Sequence, residues 1–190
     1  MKRVLAAAVA TAALLAGCSS GRGAAPTVSP AEVTADWQNT TLPGAVCGLP
    51  GPIALHQGTA VIQSNAFPGS PQVHVSVGSQ TVYGPLEGTG TNAAGVSVSC
   101  SNGGGTADAV LANGWAIFSV HGDHAHSLGV ITPQHPPAQG LPMPYVSQID
   151  ISPGKITAQE AWFQASDHTC CPSGISTVVW RYAGGKLTTP

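Results

Sequence analysis

Charge is scarce in this chain. Asp, Glu, Lys and Arg together make up 7% of it, against about a quarter in an average soluble domain. The basic residues form no run or stripe, so no surface exists that neutralises a row of phosphates, and nucleic acid is excluded as a partner. Catalytic signatures are missing too. There is no Gly-x-Ser-x-Gly elbow to hold a nucleophile. No Gly-rich segment opens a helix, so Ser101-Asn102-Gly103-Gly104-Gly105 reads as a loop and not as a phosphate cradle. Only eight acidic residues are present, and none stands in a pairing that suggests glycoside cleavage. A triad drawn from distant segments, such as Asp123, a histidine and Ser173, has no local signal. A non-enzymatic chain is the expectation.

What the chain does have begins at its first residues. Lys2 and Arg3 form a positive patch, residues 4–15 an apolar run, and Leu15-Ala16-Gly17-Cys18 places small residues where a signal peptidase cuts. The run is too short for a permanent bilayer-spanning helix. A cysteine directly after such a site is similar to the lipobox of bacterial lipoproteins, whose thiol carries diacylglycerol and whose amine carries a further acyl chain such as palmitate. Residues 1–17 are therefore expected to be a signal peptide and Cys18 the lipidated first residue of the exported protein. Two or more acyl chains hold firmly, each buried methylene contributing about 0.8 kcal/mol. The exported part keeps Arg22, Lys155, Arg181 and Lys186 against all eight acids, a formal charge of −4. Anionic headgroups do not attract such a domain, and attachment falls to the acyl chains.

Residues 18–28 are rich in Gly, Ser and Ala and read as a lipidated cysteine followed by a flexible tether. Residues 29–190 are expected to form a single domain. Ser29 offers an N-cap, Pro30 a first helical position and Glu32 a capping-box partner. A short helix is expected there, with Val33 and Trp37 on one face and Trp37 docked on the domain.

Beyond Cys47 the punctuation is that of a β protein. Residues 73–77 alternate Val, His, Val, Ser, Val with period two, and residues 95–100 alternate similarly. Cys100 is expected on the side of Ser97 and Ser99 unless a bulge intervenes. Residues 115–120 read as a more deeply buried strand. Residues 146–151 and 156–163 flank Ser152-Pro153-Gly154-Lys155 and should form a hairpin. Residues 177–182 make a further strand, followed by a turn at residues 183–186. Residues 132–144 carry too many prolines for strand or helix and read as a long, semi-rigid surface loop. The fold expected is mainly β, an antiparallel, sandwich-like single domain with a short N-terminal helix.

Setting Cys18 aside leaves Cys47, Cys100, Cys170 and Cys171, an even number in an exported chain, which reads as two disulfides. Adjacent Cα atoms lie about 3.8 Å apart, less than the roughly 4.4 to 6.8 Å of a relaxed bridge. Cys170 and Cys171 are therefore each expected to reach back to Cys47 or Cys100, in either order. A metal site made from these thiols lacks the Cys-x-x-Cys spacing.

One further cluster stands out. His121, Asp123, His124 and His126 place three imidazoles and a carboxylate within six residues, a donor set suited to zinc or copper. His135 is a further candidate ligand. A solvated turn collects the same residue types, and His56, His74 and His168 stand alone as surface or strand-face histidines. Residues 83–92 have the outline of a calcium loop, but only Glu87 keeps a charge there, so they read as a turn without an ion.

The lipobox, the Gly-Pro-Leu-Glu-Gly-Thr-Gly turn before Val96-Ser97-Val98-Ser99-Cys100, the tail Cys170-Cys171-Pro172-Ser173-Gly174, Trp180 and Gly184-Gly185-Lys186-Leu187 together resemble the actinobacterial LppP/LprE-like lipoproteins. The resemblance runs from about Trp37 to Leu187. It implies a cell-envelope lipoprotein, lipid-anchored on the extracytoplasmic face of the cell membrane. No secure activity comes with it. The expected function is a non-enzymatic domain that binds an envelope protein, glycan or lipid, the alternatives being a zinc- or copper-binding lipoprotein using the histidine cluster or an envelope hydrolase.

Overall fold

The computed structural model describes residues 35–88, 92–105, 108–168 and 170–189. The signal peptide, Cys18, the tether and the helix start at Ser29 lie outside the described residues. Among the described residues eleven strands run in chain order: β1 (Thr41–Pro43), β2 (Pro52–Ala54), β3 (Thr59–Gln63), β4 (Gln72–Gly84), β5 (Asn92–Ser101), β6 (Val110–His121), β7 (His124–Ile131), β8 (Tyr145–Ser152), β9 (Lys155–Trp162), β10 (Gly174–Ala183) and β11 (Lys186–Thr188). Every pairing is antiparallel. The mainly β, antiparallel expectation holds. Among the described residues no helix is long and apolar enough to cross a membrane.

The strands form a five-stranded meander, β3-β4-β5-β6-β7, a four-stranded meander, β11-β10-β9-β8, and the small pair β1-β2. The five-stranded sheet curls and lies in the middle. One face packs Val73, Val75, Ala94, Val96, Val98 and Phe118 against Leu42, Val46, Leu49, Ile53 and Leu55 of the N-terminal segment. Its other face packs Trp115, Ile117, Leu128 and Ile131 against Val146, Ile149, Ile151, Ile156 and Trp180 of the four-stranded sheet. Cover on both sides explains residues 115–120. A strand with one wet face alternates, whereas one dry on both sides reads as an apolar run, and here all six residues are buried.

Several expected elements appear where the pattern put them. β8 and β9 form the hairpin around Pro153 and Gly154, with Ser152 opposite Lys155. β10 and β11 form the next hairpin, with Ala183 opposite Lys186. Residues 132–144 contain neither strand nor helix and cross from the five-stranded to the four-stranded sheet.

Three expectations are corrected. Trp37 docks on the domain, its ring centroid 5.1 Å from that of Phe118 and its Nε1–H donating to the Tyr83 hydroxyl at 3.1 Å. It does so from a single 3-10 turn (Trp37–Asn39) capped by Asp36, whose carboxylate accepts the Gln38 N–H at 3.0 Å. Cys100 lies on the side of Val96 and Val98, which is what strict alternation dictates for positions two and four apart. β5 needs no bulge for this, since its pairing with β6 runs unbroken from Ala116 to Ala112 opposite those residues.

The cysteine scheme changes as a consequence. Cys100 faces the N-terminal layer, where a 3-10 turn (Gly44–Cys47) ends at Cys47. Their Cα atoms are 5.8 Å apart and both residues are fully buried. Cys170 and Cys171 pair with each other in an exposed turn between β9 and β10, so neither reaches back to Cys47 or Cys100. The two close pairs are consistent with disulfide bonding.

Candidate functional site: an uncharged cleft between the sheets

The histidine cluster resolves into a hairpin. β6 runs on to His121, Gly122 and Asp123 turn the chain, and β7 starts at His124, with His121 opposite His124 and Ser119 opposite His126. The positive φ of 62° at Gly122 supplies the tight turn. The histidines stand on the hairpin as separate side chains. His121 Nε2 lies 3.2 Å from the Ser119 hydroxyl, and His124 meets Asp123 at 3.4 Å with both side chains largely in water. Among the described residues no three His, Cys, Asp or Glu side chains come together as a metal site. His135 is engaged elsewhere, stacked on Trp162 with centroids 4.1 Å apart and planes 14° from parallel. Its backbone N–H donates to the carboxylate of Glu160, a residue only 3% exposed. This pins the proline-rich loop to β9. Ser173 donates its N–H to Asp167 at 2.8 Å, while Asp123 lies in the exposed β6–β7 turn beside His124.

What the structure does assemble is a cleft of about 430 Å³ at one end of the space between the two large sheets, within the size range of small-molecule sites. Its floor belongs to the middle sheet. On β5 the residues facing the four-stranded sheet are Gly95, Ser97 and Ser99, all small, while Val96, Val98 and Cys100 fill the opposite core. Gly95 permits the close approach of β8, since a Cβ there would collide with Ile149. Further along, the register of β4 on β5 slips between Val77 and Thr81. This bulge sets Gly78 against Ser97, where no side chain has room, and brings the Gln80 carbonyl to accept the Ser97 hydroxyl at 3.1 Å. The walls are Val110, Trp115, Pro142, Met143, Tyr145, Val146 and Phe163.

Among the described residues no Asp, Glu, Lys, Arg or His lines the cleft. Several of its polar donors are already spent within the protein. Asn113 Nδ2 donates to the Pro144 carbonyl at 3.2 Å, and Trp115 Nε1 donates to the Val146 carbonyl at 3.2 Å. An ion entering here gives up hydration with no countercharge to replace it. Hydrocarbon and ring surface, by contrast, gain about 25 cal/mol for each Å² removed from water. The arrangement suits an uncharged, largely apolar molecule.

Sequence pattern did not single out this cleft. Its one local signal is the row of small residues on alternate positions of β5, which leaves room without saying what lies opposite. Tyr145 and Phe163 reach the same space through the register of a hairpin some fifty residues further along the chain. Comparison of the chain with protein-family models, with curated proteins and with solved structures finds no match in any of the three.

Proposed function

We propose that this chain is an LppP/LprE-like lipoprotein, held through lipid on Cys18 at the outer face of the plasma membrane. In this reading it is a non-enzymatic domain that binds an uncharged, apolar component of the envelope between its sheets. The anchor rests on the charged start, apolar run and small-residue cut site of residues 1–18. An oxidising compartment is supported by the buried proximity of Cys47 and Cys100. The observation that carries the binding role is the cleft lined by aromatic and aliphatic side chains with no Asp, Glu, Lys, Arg or His among the described residues that line it.

Two measurements test the two halves separately. Mass spectrometry of the amino-terminal peptide from an actinobacterial host should find diacylglycerol on Cys18, and Cys18→Ala should leave the leader attached and the acyl mass absent. A bare terminus in the unaltered protein removes the anchor. For the cleft, the full chain titrated with a terminally brominated long-chain alcohol should show saturable quenching of its tryptophan fluorescence, since Trp115 lines the cleft. Ser99→Leu, which fills the floor without adding a fluorophore, should weaken that binding about tenfold or more while far-ultraviolet dichroism stays unchanged. No saturable quenching, or equal quenching in the variant, removes the cleft as the binding site. Turnover in a broad hydrolase screen, abolished by one side-chain change, removes the non-enzymatic assignment.

A further inference from the structure

The two cysteine pairs differ in every respect that decides what a disulfide does. Cys47 and Cys100 are 53 positions apart and fully buried, so their bond constrains a long loop and is shielded from other thiols. Cys170 and Cys171 are neighbours, and closing a bond between neighbours removes almost no chain entropy. Both are exposed. Packing does not require the pair either, since neither belongs to a core cluster. The turn that carries them is nevertheless organised. Asp167 accepts the N–H groups of Gln164 and Ser173, each at 2.8 Å, and Cys171 donates its N–H to the His168 carbonyl at 3.0 Å. Ser173 and Gly174 then lead into β10, where Gly174 lies opposite Trp162. Rigid strands thus hold out to solvent a bridge that contributes little to stability.

We propose that Cys170 and Cys171 form a two-electron dithiol–disulfide couple that exchanges with a partner dithiol of the Cys-x-x-Cys type. In the reducing direction a partner thiolate attacks the sulfur of one cysteine. A mixed disulfide forms, the bond between the two neighbours breaks, and the other sulfur leaves as a thiolate that takes up a proton. The partner's second thiolate then attacks the mixed disulfide and releases the first cysteine. Two electrons and two protons have passed to the pair, and the partner has become a disulfide. Both residues are exposed, which leaves them open to an attacking thiolate. Cys47 and Cys100 give no such opening and stay out of the reaction. The assignment is independent of what occupies the cleft.

The test is graded reduction of the native full chain with a small dithiol, followed by alkylation and peptide mapping. Cys170 and Cys171 should take up label together at a dithiol concentration roughly tenfold or more below that needed for Cys47 and Cys100. Added disulfide should restore the unlabelled state. A thioredoxin-type protein lacking its resolving cysteine should attack the Cys170–Cys171 disulfide of the unaltered chain and, with the released thiol alkylated at once, be captured as a mixed disulfide on one of the two. Labelling of all four cysteines at one concentration overturns the proposal. Isolation of Cys170 and Cys171 as thiols that added disulfide does not oxidise overturns it equally. Because the couple lies outside the cores, Cys170→Ser with Cys171→Ser serves as a folded control that shows no low-concentration labelling.

Discussion

Trp115 and Trp180 are 2% and 6% exposed and belong to the same inter-sheet core, yet their indole N–H groups differ. That of Trp115 donates to the Val146 carbonyl. That of Trp180 has no hydrogen-bond partner among the described residues. Burying an unpaired donor already incurs its desolvation penalty, so deleting it recovers part of what the smaller ring loses in packing. Trp115→Phe is therefore expected to destabilise by at least about 1 kcal/mol more than Trp180→Phe, measured from urea unfolding midpoints. Equal losses would show that the Trp115 bond contributes nothing net.

Among the elements, the strands that announced themselves were those with one dry and one wet face, or those joined by a turn that only Pro and Gly serve well. Residues 73–77 lie within β4 and residues 177–182 within β10, and the turn at Pro153 and Gly154 lies where its chemistry put it. β7 was less legible, because His124 and His126 look like loop residues although they pair directly across the hairpin. β3 gave no alternation because it is an edge strand, with Val61 55% exposed. The turn after β4 shows how such pieces are joined. The Leu86 carbonyl accepts the Gly154 N–H at 2.8 Å, and the Gly154 carbonyl accepts the Tyr182 N–H at 2.9 Å. The Tyr182 hydroxyl completes the link by donating to Glu87. That hydrogen bond, with burial and the carboxylate's charge, holds the phenol above its ordinary value of 10.0. A raised folded-state value means that the contact's contribution is complete below the unfolded value and is lost as pH rises through the folded one. The stability difference between the unaltered protein and Tyr182→Phe should accordingly be constant up to neutral pH and shrink in alkali, followed by urea midpoints at increasing pH. A difference that persists unchanged in strong alkali would mean that the hydroxyl contributes nothing through its proton.

For the whole molecule, the middle sheet is the organising fact, and only part of it was readable in advance. A mainly β, antiparallel chain followed from turn spacing. The third layer did not, because Leu42, Val46, Leu49, Ile53 and Leu55 sit in short segments whose apolar residues carry no clear period. The Cys47–Cys100 pairing depends on that layer, since only a cover over the inner face of β5 brings the two cysteines together. Cys47→Ala with Cys100→Ala removes a link across 53 positions. The expected loss is about 4 kcal/mol in the chain-entropy description, read as a fall in the urea midpoint of the oxidised protein. A loss below about 1 kcal/mol would mean that packing alone holds the N-terminal layer in place.

The passage from one sheet to the other has a bearing on traffic into the cleft. Five of the residues at positions 132–144 are prolines, each with its φ locked, and the strip is clamped at His135 and Pro144. Pro142 and Met143 belong both to that strip and to the mouth. The doorway is thus shaped before any visitor arrives and has little capacity to swing or widen. If the proposed binding role holds, selection should fall on girth, so that slender, pliable molecules bind where bulky ones of equal greasiness do not.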